Sequence, residues 1–201
     1  AYGSECDTSS RRLAITESHP IVLDDLEATG VLWHRGTFQP CLEDAHGSMF
    51  HHDWGRDKGN VSAIYKFNPS QDGCYVIEEY HPGSNPLCSA YLPRNARVDV
   101  DYCRGKTAYT YVDQSHGGGQ WNILGALPFY VGWEGRIKVG NAGTSGTCSL
   151  TQNCFWVADA FRLTRVSDLS NGCTVPDWMT SAEPSSDTST VDPEDTLLTT
   201  S

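Results

Sequence analysis

Between Ile21 and Arg165 the sequence falls into short runs rich in Val, Ile, Tyr, Phe and Trp, each bounded by Gly, Pro, Asn or Asp. Such runs, separated by turn signals roughly every ten residues, admit few folds. Strands are predicted over Ile21–Leu23, Trp33–Phe38, Val61–Phe67, Gly73–Tyr80, Ala96–Cys103, Lys106–Asp113, Gln120–Phe129, Gly135–Asn141 and Phe155–Arg165. In Val98-Asp99-Val100-Asp101-Tyr102 and Thr107-Ala108-Tyr109-Thr110-Tyr111-Val112, joined through Arg104-Gly105, apolar and polar residues alternate as a half-buried hairpin requires. Helical periodicity with caps is missing, apart from one turn over Asp24–Gly30 closed by Gly30. A βαβ arrangement is thereby excluded, and an all-β, jelly-roll-like antiparallel β-sandwich is expected.

The ends have a different character. Residues 1–19 are polar except around Leu13-Ala14-Ile15 and read as an extended N-terminal arm, leaving 20–166 as the sandwich domain. Residues 167–201 read as an acidic Ser/Thr/Pro-rich C-terminal tail that cannot build its own core, with ten Ser or Thr among the last 21 residues. The net charge of -11 opposes nucleic acid and anionic membranes, and no run reaches the ~18 apolar residues of a membrane helix. The start at Ala1-Tyr2-Gly3, without Met, reads as a processed, secreted polypeptide.

Eight cysteines with no C-x-x-C pair point to an oxidising compartment and disulfides rather than zinc. Cys148 and Cys154 bracket a short polar loop and are expected to bond locally. Cys74 opens a strand whose expected antiparallel partner ends at Cys103, which would bring these two together. Cys6, Cys41, Cys88 and Cys173 remain, one bond among them tying the arm to the core.

Four blocks, in order, carry a family resemblance: Ile21-Val22-Leu23-Asp24-Asp25, Gly73-Cys74-Tyr75-Val76 followed by Tyr80-His81-Pro82-Gly83-Ser84-Asn85, Val112-Asp113-Gln114-Ser115 with Gly118-Gly119-Gln120-Trp121-Asn122-Ile123-Leu124-Gly125, and Val157-Ala158-Asp159-Ala160-Phe161-Arg162-Leu163. Over about residues 20–166 they make the chain resemble the golvesin C-terminal-like domain, also found at the end of some xanthan lyases. The resemblance implies a non-catalytic, jelly-roll-like module of carbohydrate-binding or adhesive use. Read physically, Gly117-Gly118-Gly119 allows a tight turn, and Trp121, Ile123 and Leu124 are expected to supply buried surface after it. Asp159, inside an apolar run, is expected to accept backbone amides or to bond a neighbouring turn, because an unpaired buried carboxylate is costly.

Few residue groups point to chemistry. His116-Gly117-Gly118-Gly119 looks like an esterase oxyanion loop but has no G-x-S-x-G companion, so no catalytic residues are assigned. His46, His51, His52 and Asp53 crowd one segment as transition-metal ligands would, and Asp24, Asp25, Asp53 and Asp57 offer oxygens for a structural Ca²⁺. The expected fold nonetheless needs neither metal nor cofactor. Sugar rings call for exposed aromatics: of Trp33, Trp54, Tyr80, Tyr91, Tyr130 and Trp133, the sequence favours Trp54 and Trp133, which sit among glycines and charges. Asn60-Val61-Ser62 is an N-glycosylation sequon after a turn, and Ser185, Ser186, Thr188, Ser189, Thr190, Thr196, Thr199 and Thr200 are O-glycan candidates.

An isolated sandwich must protect its edge strands or use them. A polar arm and tail flank this one, with Leu13 and Ile15, or Val191 and Leu197, as possible anchors in a neighbour's groove. The first expectation is therefore a glycosylated extracellular subunit that polymerises with copies of itself by donating a terminal strand. The alternative is a carbohydrate-binding module, with polysaccharide rather than nucleic acid as its partner.

Overall fold

The structure is a computed structural model that describes residues 19–31, 34–36, 38, 41, 44–103, 105–150, 153–167, 173 and 180–181. Its strands are β1 (Ile21–Leu23), β2 (Thr29–Val31), β3 (His34–Gly36), β4 (Phe50–His52), β5 (Ser62–Phe67), β6 (Gly73–Tyr80), β7 (Ala96–Tyr102), β8 (Lys106–Val112), β9 (Trp121–Phe129), β10 (Gly135–Gly140), β11 (Val157–Ala158), β12 (Ala160–Ser167) and β13 (Thr180–Ser181). They form an antiparallel sandwich. A four-stranded sheet, ordered β1-β12-β6-β9, faces a six-stranded sheet, ordered β13-β8-β7-β10-β5-β2, and a three-stranded sheet β11-β4-β3 lies beside them. The chain crosses repeatedly between the two larger sheets, as a jelly roll does: β5 lies in the larger, β6 in the smaller, β7 and β8 in the larger, β9 in the smaller.

Alternation in sequence becomes layering in space. Val98, Val100, Ala108, Ile137, Val139 and Tyr65 from one sheet meet Tyr75, Ile77, Leu127, Phe129, Phe161 and Leu163 from the other in one buried core. Tyr65 sits edge-on to Phe161 at 5.0 Å, and Phe67 to Phe129 at 4.9 Å. Around the β7–β8 hairpin the register runs from Ala96↔Val112 to Tyr102↔Lys106, as the alternation predicts.

Several differences have physical causes. Asp24-x-x-Glu27 forms a capping box for a single 3₁₀ turn at Asp25–Glu27, so the helical turn ends at Ala28 and Gly30 belongs to β2 instead. The predicted strand Phe155–Arg165 is two strands, because Asp159 leaves the ladder between β11 and β12. Pro86–Ser89 forms a helical turn that opens with the Asn85 side chain accepting from the Leu87 amide. In β9 the register slips opposite Ile77 and Glu78, which inserts Leu124 as an extra residue. Leu124 is buried while Ile123 is 68% exposed, so Ile123 is not the core residue its sequence position suggested.

Cys148 bonds Cys154, Cys41 bonds Cys88, Cys74 bonds Cys173, and Cys103 is also in a disulfide. The expected Cys74–Cys103 bond is corrected: β6 and β7 lie in different sheets, and Cys74 sits between Pro128 on β9 and Ser167 on β12, from which the chain continues to Cys173. Residues after 166 are thus joined to the sandwich by this bond and by β13, whose Thr180 and Ser181 pair with Tyr109 and Ala108. A ladder uses backbone groups, so even a segment poor in apolar residues can extend a sheet edge. Cys6, Trp33, the anchors Leu13, Ile15, Val191 and Leu197, and the tail hydroxyls from Ser185 to Thr200 lie outside the described residues.

The bonds differ in the chain they close: Cys74–Cys173 spans 99 residues and Cys148–Cys154 spans 6. Replacing the first pair by alanine is expected to destabilise the protein by about 4 to 5 kcal/mol and the second by about 2 kcal/mol in urea titration, since loop-closure entropy grows with loop length.

Candidate functional site

The residues singled out in sequence do not meet at one place. Trp54 follows β4 with φ +51° and is 41% exposed, its ring edge-on to His52 at 4.8 Å, Phe155 at 5.8 Å and Phe38 at 5.9 Å. Trp133 lies in the β9–β10 connection, 45% exposed, against a groove of about 420 Å³ that Tyr130, Asp101 and Arg136 also line. The two indoles are at opposite ends of the sandwich: Asp53, next to Trp54, bonds Asn141 just beyond the far end of β10, whereas Trp133 precedes that strand. Tyr91 stacks on Phe155 at 5.3 Å.

The histidines also diverge. The His46 ring meets Asp24 at 3.1 Å, His51 Nε2 faces the Asp25 carbonyl at 3.0 Å, and His52 packs on Trp54. Asp53 is fully buried and accepts from Lys58 Nζ (2.7 Å), Asn141 Nδ2 (2.8 Å) and the amides of Gly55 and Trp156. Asp25 pairs with Arg35, and Asp24 caps the 3₁₀ turn. Asp57 takes part through its backbone carbonyl, which accepts from the Asn60 amide and Asn141 Nδ2, and among the described residues no three His, Cys, Asp or Glu side chains gather as a metal would require.

Near the glycine loop, Asp113, Ser115 and His116 look at first like a catalytic relay. Yet Ser115 Oγ and Asp113 Oδ2 both approach His116 Nδ1 at 3.0 Å, and Ser115 Oγ donates directly to Asp113 Oδ1 at 2.6 Å. A relay needs the imidazole, as the base, to join carboxylate and nucleophile through its two different nitrogens, so this group locks a turn instead. Gly118 serves packing: a Cβ there would come within 2.5 Å of the Gly83 backbone.

A coherent site lies on the outer face of the four-stranded sheet. In β6 and β12, Tyr75, Ile77, Phe161 and Leu163 point inward, so Glu78, Tyr80 and Arg162 point outward. The register sets Val22, Arg162, Glu78 and Ile123 in one row across all four strands, with Ala160, Tyr80 and Trp121 in the next. Arg162 makes a bidentate pair with Glu78 at 2.6 and 2.7 Å and lies 4.5 Å over the Trp121 ring. Tyr80, Trp121 and His46 meet edge-to-face with centroids 5.3 to 5.5 Å apart. Exposed Val22 and Ile123 flank this group as apolar shoulders. Trp121, expected in the core with Ile123, is instead turned outward by the strand bulge, whose only sequence signal is Gly125.

Beneath the platform lie buried ionisable groups. His46 is held by its backbone amide, which donates to Asp159 Oδ2 at 2.9 Å, the backbone contact expected of that carboxyl. Asp159 Oδ1 is buried without a protein partner. Burial, with the fields of Asp24, Glu79 and Asp25, outweighs the His46 amide and pushes Asp159 up to about 9, so it is neutral at pH 7. His81 is 1% exposed, with Nδ1 2.8 Å from Glu79 and Nε2 3.1 Å from the His116 carbonyl. Burial opposes its charge, but the Glu79 carboxylate and the carbonyl prevail and raise its pKa. Asp44 clamps the neighbouring loop, accepting from Ser84 Oγ (2.7 Å) and the Ser84 amide (2.8 Å); against the effect of burial, these donors lower its pKa.

Comparison with known proteins places these features in context. A family model described as the Golvesin C-terminal domain matches residues 23–165. A xanthan lyase of Bacillus sp. (strain GL1) is 29% identical over 125 residues, 60% of this chain and 12% of that protein. The structure of Paenibacillus xanthan lyase superposes with TM-score 0.58 at 29% identity, covering 73% of this chain and 13% of the lyase. A family 35 carbohydrate binding module from Clostridium thermocellum aligns with TM-score 0.45 at 14% identity, over 74% of this chain and 100% of that one. The chain thus spans a small part of the xanthan lyases it matches.

The buried acid and histidine set a pH dependence. Asp159 has its folded pKa above the unfolded value, so its contribution weakens as pH rises from about 4 toward 9. His81 is likewise raised; its contribution is complete below about pH 6.5 and is lost as pH rises through the folded value. Asp44 and Asp113, both lowered, contribute stability that is complete above about pH 4 and is lost only as pH falls below it, outside this range. Thermal melts are expected to give a higher Tm at pH 5 than at pH 9. Asp159→Asn should flatten that dependence by at most about 1.4 kcal/mol per pH unit. An unchanged slope in Asp159→Asn would exclude Asp159 as its source.

Proposed function

Because the chain belongs to the Golvesin C-terminal domain family, we propose that it is a non-catalytic polysaccharide-binding module that works outside the cell. The observation that carries this reading is the outward platform of Trp121, Tyr80 and Arg162–Glu78 between the apolar shoulders Val22 and Ile123. A pyranose ring has an apolar C–H face that packs on aromatic and aliphatic surface, and a rim of hydroxyls that planar charged groups bind in pairs. The ion pair and the ring contacts already hold these side chains, which lowers the ordering cost of binding. The related lyases bear xanthan in their names, which makes xanthan the first polymer to try.

Disulfides support an oxidising, extracellular address, and among the described residues no helix is long and apolar enough to cross a membrane. Asn60 is exposed at the end of the turn closed by its amide to the Asp57 carbonyl at 3.0 Å, a position that a glycan can occupy without disturbing the core. The self-assembling filament subunit is the second reading. One observation favours it: among the described residues β9 has a strand on one side only, leaving an open edge for a donated strand. Family and platform both favour the binding module.

Trp121→Ala is expected to weaken binding to the recognised polysaccharide about tenfold or more, which is roughly 1.4 kcal/mol, with the melting temperature nearly unchanged. Affinity electrophoresis in gels cast with xanthan and with neutral glucans measures this directly. Equal retardation of wild type and variant in every gel would remove the platform from the function. Peptide mapping of protein from its natural source should find hexosamine-bearing mass on Asn60, and an unmodified Asn60 would end the glycan proposal.

A further inference from the structure

The six-stranded sheet also has an outer face. Because Val98, Val100, Ala108, Ile137 and Val139 fill the core, their strand neighbours point to solvent. The register places Tyr111, Arg97, Gly140, Ser62 and Val31 in one row, and Tyr109, Asp99, Lys138 and Ile64 in the next. Tyr111 is 55% exposed and meets Tyr109 edge-on at 6.0 Å, while Arg97 lies 4.5 Å over the Tyr109 ring and pairs with Asp99 at 2.7 Å.

Gly140 is the informative residue. Its φ is outside the left-handed range, and a Cβ there would meet only the Val61 carbonyl at 3.7 Å and Ser62 Cβ at 3.8 Å, ordinary contact distances. The fold therefore has no need of glycine at this position, although glycine weakens a strand. A strand glycine often marks close approach by a ligand. Here it leaves a gap in the row between Arg97, with Tyr111 on the strand beyond, and Ser62 on the other side.

Charge selects the occupant. On a protein of net charge -11 this face carries Arg97, Arg136, Lys138 and Lys66. Arg97 is matched by Asp99, Arg136 by Asp101 and Lys66 by Glu134, whereas among the described residues Lys138 joins no ion pair. An anionic group beside Gly140 would find that ammonium one row away.

We propose that this face is a second glycan subsite, one that takes an acidic sugar: the ring lies over Gly140 against Tyr111, and its carboxylate meets Lys138. The inference rests on the reading of the domain as a polysaccharide binder and extends it, since a domain occupied on both outer faces bridges two chains of polymer.

Calorimetry with oligogalacturonate and with a neutral cello-oligosaccharide tests it. Trp121→Ala should still bind oligogalacturonate. In that background, Gly140→Glu and Lys138→Gln should each weaken binding about tenfold or more, Gly140→Ser should change it little, and raising salt from about 50 to 300 mM should weaken it. Circular dichroism melts confirm folding, and Lys138→Gln alone decides the matter if Gly140→Glu does not fold. Loss of all uronate binding in Trp121→Ala would overturn the second subsite while leaving the first intact, as would binding indifferent to Lys138→Gln. Wild-type protein that binds neither oligosaccharide nor xanthan would instead overturn the reading on which the second subsite depends.

Discussion

Asp159 is the residue at which the three sheets are joined. It interrupts what would otherwise be one long strand, sending β11 to pair with β4 in the small sheet and β12 to pair with β1 and β6 in the four-stranded one. Its carbonyl accepts the Tyr65 hydroxyl of the six-stranded sheet at 3.0 Å, and its carboxyl accepts the His46 amide. The second contact sets His46 against Tyr80 and Trp121, so the candidate surface is assembled by a buried acid that does not itself reach solvent. A carboxyl in this position is tolerated because it is neutral; as an anion it would be buried beside three other acids.

The protein handles its buried polar groups in three ways, according to the donors available. Asp53 has four donors, one of them the Lys58 ammonium, and remains within a satisfied network. Glu79 lies against the His81 ring and raises the pKa of that histidine. Asp159 has one amide and keeps its proton. These groups cluster at the end of the sandwich that carries the loops of residues 44–47, 81–85 and 114–119. Loops tied by buried hydrogen bonds hold surface side chains in place, and a binding surface that is already ordered loses less entropy when a polymer settles on it.

Both outer faces of the sandwich pair aromatic rings with arginine, yet they differ in charge. On the four-stranded sheet, Arg162 is neutralised by Glu78 and the shoulders are aliphatic. On the six-stranded sheet, cations outnumber carboxylates, and a glycine stands where a side chain would fit. An antiparallel sheet sets neighbouring strands about 5 Å apart, a repeat close to the width of a sugar ring, across an open face rather than in a pocket.

Much of this was legible in the chain. Period-two alternation identified the sandwich, and β6 begins and ends where Gly73 and Tyr80 predict, because inward and outward positions along a strand are set by backbone geometry alone. The block around Val157-Ala158-Asp159 was identified as structural, and local spacing paired Cys148 with Cys154. Sheet partners were not legible: Cys74 faces Ser167 and bonds Cys173 because strands distant in sequence became neighbours, and alternation names a strand's faces but not the strand beside it. Trp54 and Trp133, chosen for their polar flanks, ended at opposite ends, while Trp121 emerged on the platform only through the extra residue in β9. What the sequence determined by itself is which residues form strands and which side of each is apolar; which strands adjoin, and so which aromatics share a surface with Arg162, was decided by the tertiary structure, since lateral pairing is a long-range choice made by packing the whole core at once.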